Sequence, residues 1–323
     1  MNLQWDAALA AIRQTSGVVL AGHIRPDGDA LGSMLALAHA LRQLRIPVSC
    51  VAEPHEVPPA LSFLPGIENL IAPDELAGPA PLLIALDASS PSRLGPMTEA
   101  LAGAKEALVI DHHASNTGFG TIELIDPAAA ATGVLVSGLI DRLGVPLDED
   151  IATCLYTAVV ADTGAFRHSN TTPAVHELAA RLLATGIEHD RIVRTLFDTH
   201  PAGWLRMLSN VLARATTERI GEIGLVWTAV TTADLRENGL SADQAESVID
   251  VVRTNDAAEI AVVFKQASDD PVWTVSTRSR GTADVGELCV GLGGGGHRLA
   301  AGYTAHGSLD VAVDRLRAAL AGE

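Results

Sequence analysis

The chain of 323 residues has a formal charge of −17 and is 48% hydrophobic, enough apolar material for two cores and too much for a disordered chain. That acidity excludes a long nucleic-acid duplex as a natural partner, because duplex binding leans on a broad basic face; a small anion held in a local basic pocket stays compatible. No apolar run approaches the roughly 20 residues of a membrane span, and MNLQWDAALAAIRQ lacks the parts of a signal peptide, so a cytoplasmic protein without a membrane partner is expected.

Residues 17–22 (GVVLAG) form a β-branched apolar run bounded by glycines and predict a buried strand. A polar loop, HIRPDGD, follows, and then Leu31, Met34, Leu35, Ala38 and Leu41 recur at helical spacing. Runs at 48–52, 82–86 and 107–110 predict further strands, and alternation with helical stretches predicts a parallel sheet covered by helices. Asp148 is placed to cap a helix over 151–160, and Thr172 with Pro173 to start another that stops near Gly186. A first domain over 1–187 is expected. A helical connector over 188–215, interrupted by Pro201 and Gly203, then leads to a smaller α/β domain over 216–323. In that domain strands are predicted at 223–230, 260–264 and 272–277, with a Ser241-capped helix between the first two and a last helix in LDVAVDRLRAAL. Cys50, Cys154 and Cys289 are far apart and form no CxxC pair, which predicts buried thiols and neither a disulfide framework nor a thiolate metal site.

Chemistry concentrates where the strands end. His23, Asp27 and Asp29 follow the first strand, Asp87 follows LLIAL, and Asp111, His112 and His113 follow ALVI. In open α/β sheets such loops converge on one crevice. Asp162, closing the apolar helix CLYTAVVADTG, is a carboxylate that needs a partner to offset its desolvation. Asp27-Gly28-Asp29 taken alone reads as a turn or a helix cap, but joint placement with the other groups favours a metal site. Two histidines and four aspartates, one of them bridging, suit two divalent ions about 3.5 to 4 Å apart. That mixed nitrogen and oxygen set favours Mn²⁺, with Co²⁺, Zn²⁺ or Fe²⁺ also admitted, over Mg²⁺.

GHIRPDGDALGS, LDASS, DHH and VVADTG, in that order, resemble the four motifs of the DHH phosphoesterases. The resemblance implies that His23 and Asp27 bind one ion, that Asp29, His112 and Asp162 bind the other, and that Asp87 bridges. It also implies that Asp111 supports the site and that His113 faces the substrate phosphate as the catalytic hydrogen-bond donor.

The second domain carries TVSTRSRGTADVGELCVGLGGGGHRLAAGY. Consecutive glycines allow backbone amides to approach an anion, and Arg278, Arg280, His297 and Arg298 add positive charge, so a phosphate or nucleotide pocket including Gly294, Gly295 and Gly296 is expected. The stretch resembles the GGGH motif of the DHH-associated domain in the NrnA-like subgroup. Proteins of that subgroup cleave very short RNAs and remove the 3′-phosphate of adenosine bisphosphate, and some relatives act on cyclic di-AMP or its linear product. The resemblance implies a metal-dependent hydrolase of small nucleotides and short oligonucleotides, a homodimer, with its active site in the cleft between a catalytic and a substrate-binding domain. Two rivals are a RecJ-like single-strand exonuclease, for whose added nucleic-acid-binding domain the chain has no room, and a catalytically inactive nucleotide sensor, which the complete ligand set disfavours.

Overall fold

The computed structural model describes residues 3–322 and divides into two units between Thr199 and His200. Among the described residues no helix is long and apolar enough to cross a membrane.

In the first unit the elements run α1 (Trp5–Gln14), β1 (Val18–Ala21), α2 (Gly28–Gln43), β2 (Val48–Val51), β3 (Leu70–Ile71), β4 (Leu82–Leu86) and α3 (Met97–Gly103). They continue with β5 (Ala107–Asp111), β6 (Ile122–Ile125), α4 (Thr132–Leu143), α5 (Glu149–Asp162), α6 (Pro173–Leu183) and α7 (His189–Phe197). The sheet has the order β3-β2-β1-β4-β5-β6 and is parallel throughout.

Successive side chains of a strand point to opposite faces, and here both faces are covered. Leu20, Ile84 and Ile110 pack into a core with α2, α4 and α5, whereas Ala21, Ala85 and Val109 meet Leu94, Met97 and Leu101. Two-sided burial explains why the strands read as unbroken apolar runs. The chain moves outward from β1 to β3, then returns to the other side of β1 with β4. The loops after β1 and β4 therefore part at a switch point, where an α/β sheet opens its binding crevice.

Glycines bring α2 and α5 close. A Cβ at Gly32 would stand 2.5 Å from the Cys154 carbonyl oxygen, and one at Gly28 would stand 2.7 Å from Ala161 Cβ. This approach sets Asp29 of α2 near Asp162 at the end of α5. Asp148 caps α5 through the amide of Ile151 at 2.9 Å, and Thr172 caps α6, with Pro173 in its first turn. All three cysteines are free and buried.

The second unit runs α8 (Trp204–Ala213), β7 (Thr216–Ile220), β8 (Ile223–Val230), α9 (Thr232–Asn238), α10 (Val248–Val252) and β9 (Ile260–Lys265). After these come β10 (Val272–Ser279), α11 (Val285–Gly291), β11 (Gly295–His297), β12 (Ala300–His306) and α12 (Leu309–Ala321). Its sheet order is β11-β12-β10-β9-β8-β7, with β8 and β9 parallel and the other pairs antiparallel. The stretch joining the units is two helices, α7 sunk by Ile192 into the first core and α8 sunk by Trp204, Met207 and Val211 into the second.

One local expectation needs correction. The segment after Ser241 is not one helix but a short 3₁₀ turn, Ala242–Ala245, followed by α10. The break falls where the Glu246 carboxylate turns to the buried Lys265 ammonium. Within the glycine run, Gly295–His297 is a strand paired with β12. A Cβ at Gly294 would lie 2.1 Å from the Gly302 carbonyl oxygen and one at Gly296 2.5 Å from Ala301 Cα, so these two glycines also serve the close strand contact.

Candidate functional site

The carboxyl ends of β1, β4 and β5, the start of α2 and the end of α5 bring His23, Asp27, Asp29, Asp87, His112 and Asp162 together in the first unit. Asp27 is both cap and donor. One of its oxygens accepts from the amides of Asp29 and Ala30 at 3.0 Å each, which starts α2, and the other lies 3.5 Å from His23 Nε2. The bland reading of DGD as a helix cap and the chemical reading thus hold at once.

Asp87 sits immediately after β4 with φ +56°, a left-handed conformation uncommon away from glycine, of the kind that clusters at functional sites. Its amide donates to the Ile110 carbonyl at 3.0 Å. One oxygen lies 3.6 Å from His23 Nε2, and the other lies 3.6 Å from His112 Nε2. His112 Nε2 is also 3.0 Å from Asp162 Oδ2 and 3.8 Å from Asp29 Oδ2. Two triads of donor atoms, His23 with Asp27 and Asp87, and Asp29 with Asp87 and His112, each fall within 4.8 Å, and Asp87 belongs to both.

The surroundings aim these donors. His23 Nδ1 meets the Ile24 carbonyl at 2.9 Å and His112 Nδ1 the Ala129 carbonyl at 3.2 Å. A histidine tied to a carbonyl through one nitrogen presents the other as a ligand. Asp29, fully buried, accepts from the amides of Thr132 and Gly133 at 2.6 and 2.9 Å and from Ser33 Oγ at 2.9 Å. It thereby caps α4, whose own N-cap is Ala131 and makes no side-chain cap bond. Thr132 Oγ1 donates to Asp87 at 3.0 Å.

The electrostatics describe a site short of positive charge. Burial works against a charged His23, but hydrogen bonds and charge from Asp27 and Asp87 prevail and push it up to about 10. Burial is likewise overcome at His112, chiefly by Asp162, and that ring also rises to about 10. Asp29 is held well above the usual carboxylate range by burial and then by Asp87 and Asp162. Asp162 is raised by burial to about 6. Crowded carboxylates, two of them with raised pKa values, beside strongly basic imidazoles are the donor set a divalent cation relieves, since the cation supplies the positive charge that the protons would otherwise bring. The residues present fit a dinuclear site.

Beside it, Asp111 is completely buried and accepts from His113 Nδ1 at 2.8 Å and Asn116 Nδ2 at 2.7 Å. Burial would raise its carboxyl, but these donors hold it below the usual range. Asn116 is fixed in turn by the Ala88 carbonyl and the Gly118 amide. Ser33, Asn116 and Thr132 are the participants that motif reasoning missed. Ser33 closes the GHIRPDGDALGS motif but carries no ligand role there, and nothing separates Asn116 and Thr132 from ordinary polar residues in the sequence except that each lies within a few residues of a ligand or an apolar helix start.

In the second unit Arg278 and His297 stand opposite Ala300 from either side, one on β10 and the other on β11. They share the sheet face turned away from the Trp273, Val275 and Tyr303 core. Arg280 and Arg298 are exposed and donate to the carbonyls of Asn255 and Thr282 at 2.9 and 3.1 Å.

Comparison with known proteins yields two family matches, "DHH family, N-terminal domain" over residues 17–159 and "DHHA1 domain" over residues 226–322. A Thermus thermophilus protein named bifunctional oligoribonuclease and PAP phosphatase NrnA is 35% identical over 93% of this chain and 87% of its own length. An exopolyphosphatase-related protein from Bacteroides fragilis superposes with a TM-score of 0.87 at 24% identity, covering 98% of this chain and 95% of that one. RecJ from Thermus thermophilus, solved in complex with Mn²⁺, has a TM-score of 0.53 at 16% identity over all of this chain and 55% of its own. At those identities the two structures speak for the fold alone.

Proposed function

Because the chain belongs to the DHH family of phosphoesterases and carries a DHHA1 domain, we propose that it uses two divalent ions to hydrolyse small nucleotides. Its substrates would be short oligoribonucleotides, linear or cyclic dinucleotides and adenosine 3′,5′-bisphosphate, in keeping with the name of its Thermus relative. His23 and Asp27 would hold one ion, Asp29, His112 and Asp162 the other, and Asp87 both. The observation that carries this reading is the membership of Asp87 in both donor triads.

Two imidazole nitrogens among carboxylates favour manganese over magnesium. When bound, such ions neutralise charge on phosphoryl oxygens and make water acidic enough to deprotonate near neutral pH.

The protein's own groups do the remaining work. Asn116 holds Asp111, and Asp111 engages His113 Nδ1, so the ring is oriented to donate a hydrogen bond to a phosphoryl oxygen as charge develops there. Thr132 and the amides at the start of α4 fix Asp87 and Asp29 before any substrate arrives. Residues 1–187 would form the catalytic part, 188–215 the connector and 216–323 the substrate-binding part. There Arg278 and His297, with Gly294, Gly295 and Gly296, would hold the nucleotide, Arg280 and Arg298 adding charge nearby. A cytoplasmic homodimer belongs to the same reading, the three free buried thiols suiting a reducing compartment.

The test is turnover of adenosine bisphosphate, a linear dinucleotide, a cyclic dinucleotide and short RNA by chelator-treated protein before and after Mn²⁺ is restored. Activity on at least one class that returns with Mn²⁺ is expected. A metal-loaded protein inert on all four would overturn the proposal.

A further inference from the structure

Lys265 closes a strand whose other residues are buried and apolar, and it is itself only 5% exposed. A buried ammonium is tolerated only when bonded. Its Nζ donates to Ser276 Oγ on β10 at 2.9 Å and to the Glu246 carboxylate. Glu246 stands at the break before α10, Asp250 within α10 and Arg253 at its end, and α10 packs on this sheet through Val248, Ile249 and Val252. Arg253 Nη1 is 3.7 Å from Asp250 Oδ1, and Arg278 lies within the fields of Asp250, Arg253 and Glu246. Lys265 and Arg253 are thus each paired with a carboxylate, whereas Arg278, whose Nη1 donates to the Thr277 carbonyl at 3.0 Å, feels both carboxylates without an ion pair to either, in a chain whose formal charge is −17.

Strand alternation sets Lys265, Ser276, Arg278 and His297 on one face of the sheet. Between the two ends of that strip the register places Gly295, Gly302 and Ala300, so the floor there is nearly bare of side chains. Glu246 differs from its partner in one respect: its side chain is 61% exposed, whereas that of Lys265 is 6% exposed. Swinging into water costs the glutamate little desolvation, and the ammonium it leaves would then need another anion. A phosphate monoester brings more negative charge and three acceptor oxygens in place of two, matched to an ammonium and a planar guanidinium fork.

We infer that Lys265, Ser276 and Arg278 form a second phosphate subsite whose place Glu246 holds until substrate arrives. It takes the 5′-phosphate of adenosine 3′,5′-bisphosphate, or the equivalent phosphate of a short oligonucleotide that is not hydrolysed. The inference rests on the proposed role of the second unit in holding nucleotide, and it adds a residue that selects ligands carrying two phosphates over those carrying one.

Calorimetric binding to chelator-treated protein separates this subsite from the metal chemistry. Adenosine 3′,5′-bisphosphate and adenosine 3′-monophosphate differ only in the 5′-phosphate, so the ratio of their affinities reads the subsite. The wild type should prefer the bisphosphate. Lys265→Met keeps an unbranched chain in the buried position and should shrink that preference by about ten- to hundredfold, the worth of a charge-assisted contact. Glu246→Gln should enlarge the preference, because it weakens the internal competitor. Equal weakening of both ligands by Lys265→Met, or a smaller preference in Glu246→Gln, would mark the pair as a structural salt bridge and overturn the subsite. A wild type without preference that still turns over nucleotide with Mn²⁺ overturns the subsite alone; one that neither binds nor turns over nucleotide overturns the functional reading as well.

Discussion

Asp111→Asn removes one charge from the support of His113 and leaves the shape nearly intact. In the wild type one carboxylate oxygen accepts from His113 Nδ1 and the other from Asn116 Nδ2. An amide at this position has a single acceptor, so one of the two donors must face another donor. Turning Asn116 over does not help, because its own amide group is already engaged by the Ala88 carbonyl and the Gly118 amide. The loss is one charge-assisted hydrogen bond in a fully buried place, about 1.5 to 3 kcal/mol. If His113 acts at the phosphoryl oxygen only as charge develops, that loss falls on kcat and lowers it by about ten- to hundredfold. The assay is steady-state hydrolysis of adenosine bisphosphate with saturating Mn²⁺, alongside metal content and melting temperature. The expected variant is folded, carries its full complement of metal, and has a KM close to that of the wild type. A kcat within twofold of wild type would refute the positioning role, and a drop in kcat matched by a drop in bound metal would move Asp111 into the metal site.

Two further outcomes are expected. Dinucleotides to pentanucleotides should be processed far faster than long single strands, since aromatic residues, on which the bases of a long strand stack, are only 3% of the chain; comparable specific rates on a dimer and on a long strand would contradict this. At acid pH, Asp234 should contribute to unfolding: burial would raise its carboxyl, but Arg214 and Thr231 hold it below the usual range. Its stabilisation is therefore present above the unfolded value of about 3.9 and is lost as pH falls through the lower folded value. Urea unfolding should find Asp234→Asn destabilised at pH 7 by about 1.5 to 3 kcal/mol, with the gap to wild type closing toward pH 2. A gap that stays constant over that range would contradict the assignment.

The first unit was legible because burial on both sheet faces writes each long strand as an apolar run, and a charged residue ending such a run has few structural reasons to be there. His23, Asp87 and His112 stood out on that ground. The edge strand β3 has two residues and left no run to read. Thr132 was invisible because its hydroxyl and amide serve carboxylates from β4 and α2, contacts that only the folded topology creates. In the second unit, β7 alternates half-buried and exposed residues at a sheet edge, a pattern too weak to separate from a loop. Glycine has little intrinsic preference for strands, so β11 could not be foreseen from Gly295-Gly296; its pairing is imposed by β12. Lys265 was passed over for a related reason, since a lysine after IAVVF marks an exposed strand end until β10 and Glu246 close over it.

The central claim, that Asp87 joins two metal positions, is tested most directly by counting metal. After loading with Mn²⁺ and removal of free ion, elemental analysis should find about two ions per chain in the wild type, the stoichiometry of a dinuclear hydrolase. Asp87→Ala should hold fewer and lose turnover on every substrate while keeping its circular dichroism. A wild type that holds a single ion, or an Asp87→Ala variant that retains both, would contradict the account.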